Sequence, residues 1–151
     1  MARNLKPLLF GGAGGASTFA DLGLLLLRVT IGTFMAFGHG MGKLPFLGGE
    51  LPVGGVTKLG FPAPTLFAWL LALTEFVGGL LLAIGLLTRP AAFAIMFGMG
   101  VAAFVAHGND PWFARGGPSK EMAMLFLVPA LLFVLAGAGR FSIDALFNRK
   151  R

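Results

Sequence analysis

The chain contains no cysteine and no tyrosine, and its 151 residues include only 6 acidic side chains and 2 histidines. Without cysteine, thiol–disulfide exchange, thiolate metal sites and iron–sulfur ligation are all excluded. No dinucleotide-binding fingerprint is present either, so any redox chemistry needs a borrowed cofactor and a catalytic partner. Charge is scarce, with 12% charged against 56% apolar residues and a mean hydropathy of +0.85. This is the composition of a membrane chain, and its 24 glycines suit close helix packing in lipid. The net charge of +6 does not point to nucleic acid, because the basic residues sit mainly at the ends of apolar runs, where they set topology.

A spanning helix needs roughly 20 mostly apolar residues. Four runs qualify, at about 19–41, 64–87, 90–107 and 121–137, the last two short enough to call for tilt or local bilayer thinning. Proline opens the second and third runs, where a missing amide hydrogen costs little, and Pro129 is expected to bend the fourth. The fold class is therefore an all-α membrane protein, a four-transmembrane-helix bundle. A basic N-terminal arm is expected over residues 1–18, the membrane domain over 19–139 and a basic amphipathic tail over 140–151. In that tail, RFSIDALFNRKR, an interfacial helix would insert Phe141, Ile143, Leu146 and Phe147 and leave Arg149, Lys150 and Arg151 near lipid phosphates.

The tight turn GLLTRP makes the second and third helices antiparallel neighbours, whereas long Gly- and Pro-rich loops follow the first and third. Arg3, Lys6, Arg89, Arg140 and the terminal basic run stand against Lys43, Lys58, Arg115 and Lys120 in those loops. The positive-inside rule then puts both termini in the cytoplasm and both long loops outside. The expected location is a prokaryotic inner membrane, crossed several times.

Arg28 lies inside the first run, about 13 Å from its inner end by helical rise. Glu75 is the acid deep in another run, about 18 Å from the inner end of the second helix. An intramembrane Arg28–Glu75 ion pair follows, since such charges pair and face the bundle interior. Arg28, Gly32, Met35 and His39 recur at helical spacing, and Gly78 and Gly79 follow Glu75, so Gly32, Gly78 and Gly79 are expected at helix contacts.

Toward the outer side, His39, Lys43, His107, Trp112, Lys120 and Glu121 converge as a candidate ligand-binding layer, with apolar walls and a few orienting polar groups. Met96, Met99, Met122 and Met124 read as packing residues, and no metal site is expected.

The order LLRVTIG, HGMGKL, LTEFVGGLLLAIGLLTRPAA and AGAGRFSIDALF resembles the DoxX family of small membrane proteins, over about residues 22–147. On the matching positions Arg28, Gly32, His39, Gly40, Lys43, Glu75, Gly78, Gly79, Gly85, Arg89, Gly139 and Asp144 carry the pattern. The resemblance implies a four-helix protein associated with quinone-linked oxidoreductase systems, among them a terminal quinol oxidase and thiosulfate:quinone oxidoreductase. No intrinsic cofactor is expected; the resemblance implies quinone as a ligand, and a protein partner subunit or a homo-oligomer is expected in the bilayer. The rival readings are a non-enzymatic assembly or anchoring subunit, small-solute transport along Arg28 and Glu75, and haem held between His39 and His107.

Overall fold

The computed structural model describes residues 17–148. The expected arm lies outside them apart from its last two residues, as do Arg149, Lys150 and Arg151. Besides a single 3-10 turn at Pro45–Leu47, the helices of this stretch are α1 (Thr18–Lys43), α2 (Val53–Lys58), α3 (Pro64–Ile84), α4 (Thr88–Ala106), α5 (Glu121–Ala136) and α6 (Ile143–Asn148). Three of them, α1, α3 and α4, are long and apolar enough to cross a membrane, while α5 is a shorter apolar helix that continues through Pro129.

Local chemistry sets the helix ends. The Ser17 hydroxyl accepts from the Ala20 amide at 3.1 Å and caps α1, satisfying an amide that the first turn leaves open. Helix α3 stops earlier than its apolar run because Gly85 adopts φ 71°, and the Leu86 amide reaches back to Leu81 O at 3.0 Å. That pairing closes the helix in the manner of a Schellman cap. Leu87 then takes φ 49°, a costly conformation for a branched side chain, so a partner must hold it there.

Helix α1 packs along α3, and α4 packs along α5. The core between them is built from Met35, Leu82, Ile95, Met99, Phe126 and Phe133 with interleaved alanines. No more than 33% of any of the three long apolar windows is buried within the protein. Phe19, Leu26, Phe93, Phe97 and Leu135 stand exposed, which suits surfaces whose solvent is lipid rather than water.

The α1–α3 contact is a backbone contact. A Cβ on Gly32 would lie 2.6 Å from both Ala83 N and Gly79 O, and one on Gly79 would lie 2.7 Å from Gly32 O. A Cβ on Gly40 would lie 2.6 Å from Phe76 Cα. Gly78 instead faces α4, where its added Cβ would make ordinary contact with Ile95 at 3.6 Å. These pairings set the axial register: Gly40 is level with Glu75 and Phe76, and Gly32 with Gly79 and Ala83.

Candidate functional site

At the end of the bundle that carries the two long loops, three helices share an irregularity. Wide π turns replace α-helix over Phe34–Gly40, Thr74–Gly78 and Ala102–Ala106. Such turns insert an extra residue per turn and are frequent at functional sites. The first two pack on each other, where Gly40 admits the backbone of Glu75 and Phe76.

This close approach positions the main charged pair. Glu75 is 4% exposed, and its carboxylate forms an ion pair with the Lys43 ammonium. Lys43 also donates to His39 O at 3.1 Å. The loop behind Lys43 is folded on itself, with Glu50 N–H donating to Gly42 O at 3.0 Å and Gly49 N–H to Leu44 O at 2.9 Å. Phe46 stacks on Trp69 of α3, so the turn bearing Lys43 is tied to the helix bearing Glu75. The His39 ring, half-buried, meets Phe126 of α5 edge-on at 5.0 Å between centroids. On the same stretches of α1 and α3, Phe37 meets Phe76 edge-on at 6.1 Å.

The expected Arg28–Glu75 bridge is therefore corrected: each partner is engaged elsewhere. Arg28 is 1% exposed and lies over Gly85, and its Nη2 donates to Phe141 O at 2.6 Å. Glu75 is ten residues farther along α3, about 15 Å at the rise of a helix. Helical rise alone sets Arg28 and Glu75 at similar depth only if the inner ends of α1 and α3 lie at one level. In fact α1 begins well beyond the end of α3, and the C-terminal segment covers the overhang.

That segment forms a second polar cluster, at the end carrying both termini. Asp144 is 2% exposed, and its two oxygens accept the amides of Leu87 at 2.8 Å and Thr88 at 2.9 Å. It thereby holds the strained Leu87 and caps α4 from 56 positions away in sequence. Its charge also acts on Arg28, whose Nε and Nη1 make no hydrogen bond among the described residues. Asp21 accepts Arg140 N at 3.0 Å, and Gly139 lets the chain pass beside Asp21 and Leu24. The tail helix is thus docked through Phe141 O and Asp144, whose amide also donates to Gly85 O at 2.8 Å, while Leu146 and Phe147 remain exposed. The sequence did carry a signal for this cluster: Asp21 and Asp144 are isolated acids in otherwise apolar or basic surroundings, on the side where Arg28 lies.

The six candidate ligand residues divide into two groups. His39 and Lys43 belong with Glu75. His107, Trp112, Lys120 and Glu121 belong to the α4–α5 loop, where they satisfy the loop itself. His107 Nδ1 meets Asp110 Oδ2 at 2.7 Å, and Lys120 donates to Gly108 O at 2.8 Å and Asp110 O at 3.1 Å. Lys120 also lies 5.2 Å from the Trp112 ring centroid, and Glu121 accepts from Ala114 N at 2.7 Å. No hydrogen bond or ion pair joins the two groups among the described residues. The expected single layer is corrected to a buried charged pair beside a self-bonded loop, because the loop's own carbonyls and amides compete for the same side chains. A cavity of about 390 Å³ lies elsewhere, between α2, α3 and α4, and none of the six lines it.

The DoxX family model matches residues 23–108. An uncharacterized protein of Haemophilus influenzae is 36% identical over 132 residues, covering 84% of this chain and 92% of that protein. The inner membrane protein YqjF of Escherichia coli is 32% identical over 134 residues, covering 86% of this chain and 95% of that protein. No solved structure matches significantly. With its apolar helices and an inner-membrane relative, this is a multi-pass inner membrane protein in contact with the lipid bilayer, and it belongs to the DoxX family.

Proposed function

We propose that the chain is a four-span subunit of a quinone-linked oxidoreductase system, with both termini cytoplasmic, and that it contacts the quinone ring at the loop end through Lys43, Glu75 and His39. The observation that carries this reading is the Lys43–Glu75 pair: the carboxylate is 5% exposed but the lysine 25%, so one member of a buried pair reaches open space. The donor set fits a quinone ring, which offers two carbonyl acceptors and an apolar face. The Lys43 ammonium and the His39 ring supply hydrogen-bond donors, and Phe37, Phe76 and Phe126 supply apolar walls. A bound quinone supplies two-electron, two-proton redox chemistry. Glu75 holds a carboxylate beside the donors, a group that can take up a proton from one neighbour and release it to another. Electrons come from a partner protein.

The test is quinone content per chain after reconstitution in nanodiscs doped with a known quinone fraction. Wild type is expected to retain close to one quinone per chain after detergent extraction. Lys43→Met is expected to lose it while keeping its circular dichroism and elution volume. Retention that merely follows the bulk quinone fraction, unchanged by Lys43→Met, overturns the reading.

A non-enzymatic assembly role is favoured by a different observation. The α4–α5 loop is braced by its own hydrogen bonds yet leaves Trp112 54% and Phe113 70% exposed, a preformed aromatic surface for a partner. A partner captured from native membranes by wild type and Lys43→Met, but lost with Phe113→Ser, would favour that role.

A further inference from the structure

The cavity between α2, α3 and α4 lies away from both charged clusters, and its lining is almost wholly apolar. Phe61 and Phe67 form one wall, Phe93 and Phe97 the other, and Val56 of α2 roofs it. Thr74 is the one side chain with a hydroxyl among the lining residues. Its existence has a local cause. Helix α4 presents Ala94 and Gly98 one turn apart, in the row beside Phe93 and Phe97, and a Cβ built on Gly98 meets nothing within 4 Å. The small residues recess the helix face, and α2 closes the loop end of the recess.

Three physical points decide what fills it. Water needs two to four polar partners, and this lining offers one hydroxyl. An empty groove of about 390 Å³ would forfeit the dispersion contacts that close packing supplies. The groove is flanked by two helices apolar enough to span a bilayer, so its open side meets hydrocarbon. At its rim Lys58 ends α2 between lining residues Val56 and Leu59; it is exposed and has no hydrogen-bond or ion-pair partner among the described residues. The Lys58 ammonium above an apolar slot complements an anionic headgroup above an acyl chain.

We infer that this groove is a specific site for one anionic phospholipid, with an acyl chain between α3 and α4 and the phosphate on Lys58. The site is independent of the proposed quinone contact, since Lys43, His39 and Glu75 do not line it. It gives α2, a short helix with no other evident task, a role as the clamp over a bound lipid. A second copy of the chain is the competing occupant, but it would have to enter the recess from the side with a protruding helix ridge and leave Lys58 without a counter-charge.

The test uses full-length protein in nanodiscs of phosphatidylcholine containing a minor fraction of phosphatidylglycerol, followed by native mass spectrometry after detergent release. Wild type is expected to retain one phosphatidylglycerol per chain, favoured about fivefold over phosphatidylcholine after correction for abundance. Gly98→Leu fills the recess without a backbone clash and is expected to abolish retention; Ala94→Met serves the same purpose should the first variant fold poorly. Lys58→Gln is expected to keep a bound lipid but erase the headgroup preference. Retention identical in wild type and the filled variants, or a lipid ratio equal to the bulk in wild type, overturns the inference. So does an efficient intermolecular disulfide in Gly98→Cys, which would assign the groove to a second copy.

Discussion

Replacing Asp144 by alanine removes the one carboxylate that ties the C-terminal segment to the start of α4. Two hydrogen bonds vanish, from Leu87 N–H at 2.8 Å and Thr88 N–H at 2.9 Å. Each bond to a charged acceptor contributes about 1.5–3 kcal/mol, and the amides left behind are buried or nearly so. Arg28, 1% exposed, also loses the counter-charge beside it. That attraction acts without a direct ion pair among the described residues, so it adds less than the loss of a contacting counter-charge would. These contributions overlap, so the total expected for Asp144→Ala is about 3–5 kcal/mol rather than their sum. Asp144→Asn keeps one acceptor oxygen and is expected to cost about half as much. Leu87, held at φ 49°, should relax once released. The assay is reversible unfolding in mixed micelles, with amide exchange at Leu87 and Thr88 as the local readout. A loss below about 0.5 kcal/mol, the range of an ordinary surface change, refutes the reasoning. So does a double-mutant cycle with Arg28→Met that shows no coupling.

Lys43→Met alone is expected to destabilise the fold by about 3 kcal/mol, because it strands the Glu75 carboxylate, while adding Glu75→Leu restores most of the loss; equal unfolding of the single and double variants argues against the pair. The charge swap Arg28→Glu with Glu75→Arg is expected to fold no better than either single change, since the two residues stand at different levels of the bundle; rescue by the double swap would reinstate a direct bridge. Gly32→Leu must push α1 away from Ala83 and is expected to cost at least about 1–3 kcal/mol, measured by the same unfolding assay, whereas wild-type stability would show that the helices are not in backbone contact. Lys120→Met is expected to speed amide exchange across the α4–α5 loop while changing global stability by no more than about 0.5 kcal/mol; unchanged exchange would show that the loop does not depend on its carbonyl bonds.

Much of the architecture was legible because lipid imposes simple rules on sequence. Apolar runs located α1, α3, α4 and α5 to within a few residues, and GLLTRP marked the turn between α3 and α4. The choice of charge partners was not legible. A depth count along one helix needs the level at which its neighbour begins, and that offset depends on where glycines let backbones touch. Gly32 and Gly79 placed α3 one way against α1, and the count assumed another. The π turns were hidden for a similar reason, since they follow from packing rather than from any residue signature.

By itself the sequence determined the solvent of this protein, its helical class and the exclusion of thiol-based chemistry, because each follows from composition and from the length of apolar runs. Only the tertiary structure decided that Lys43 answers Glu75, that Arg28 and Asp144 meet the anchored tail and the start of α4, and that an apolar groove opens under α2. Those are statements about register and side-chain reach across helices, and a linear pattern of polar and apolar residues carries no measure of either.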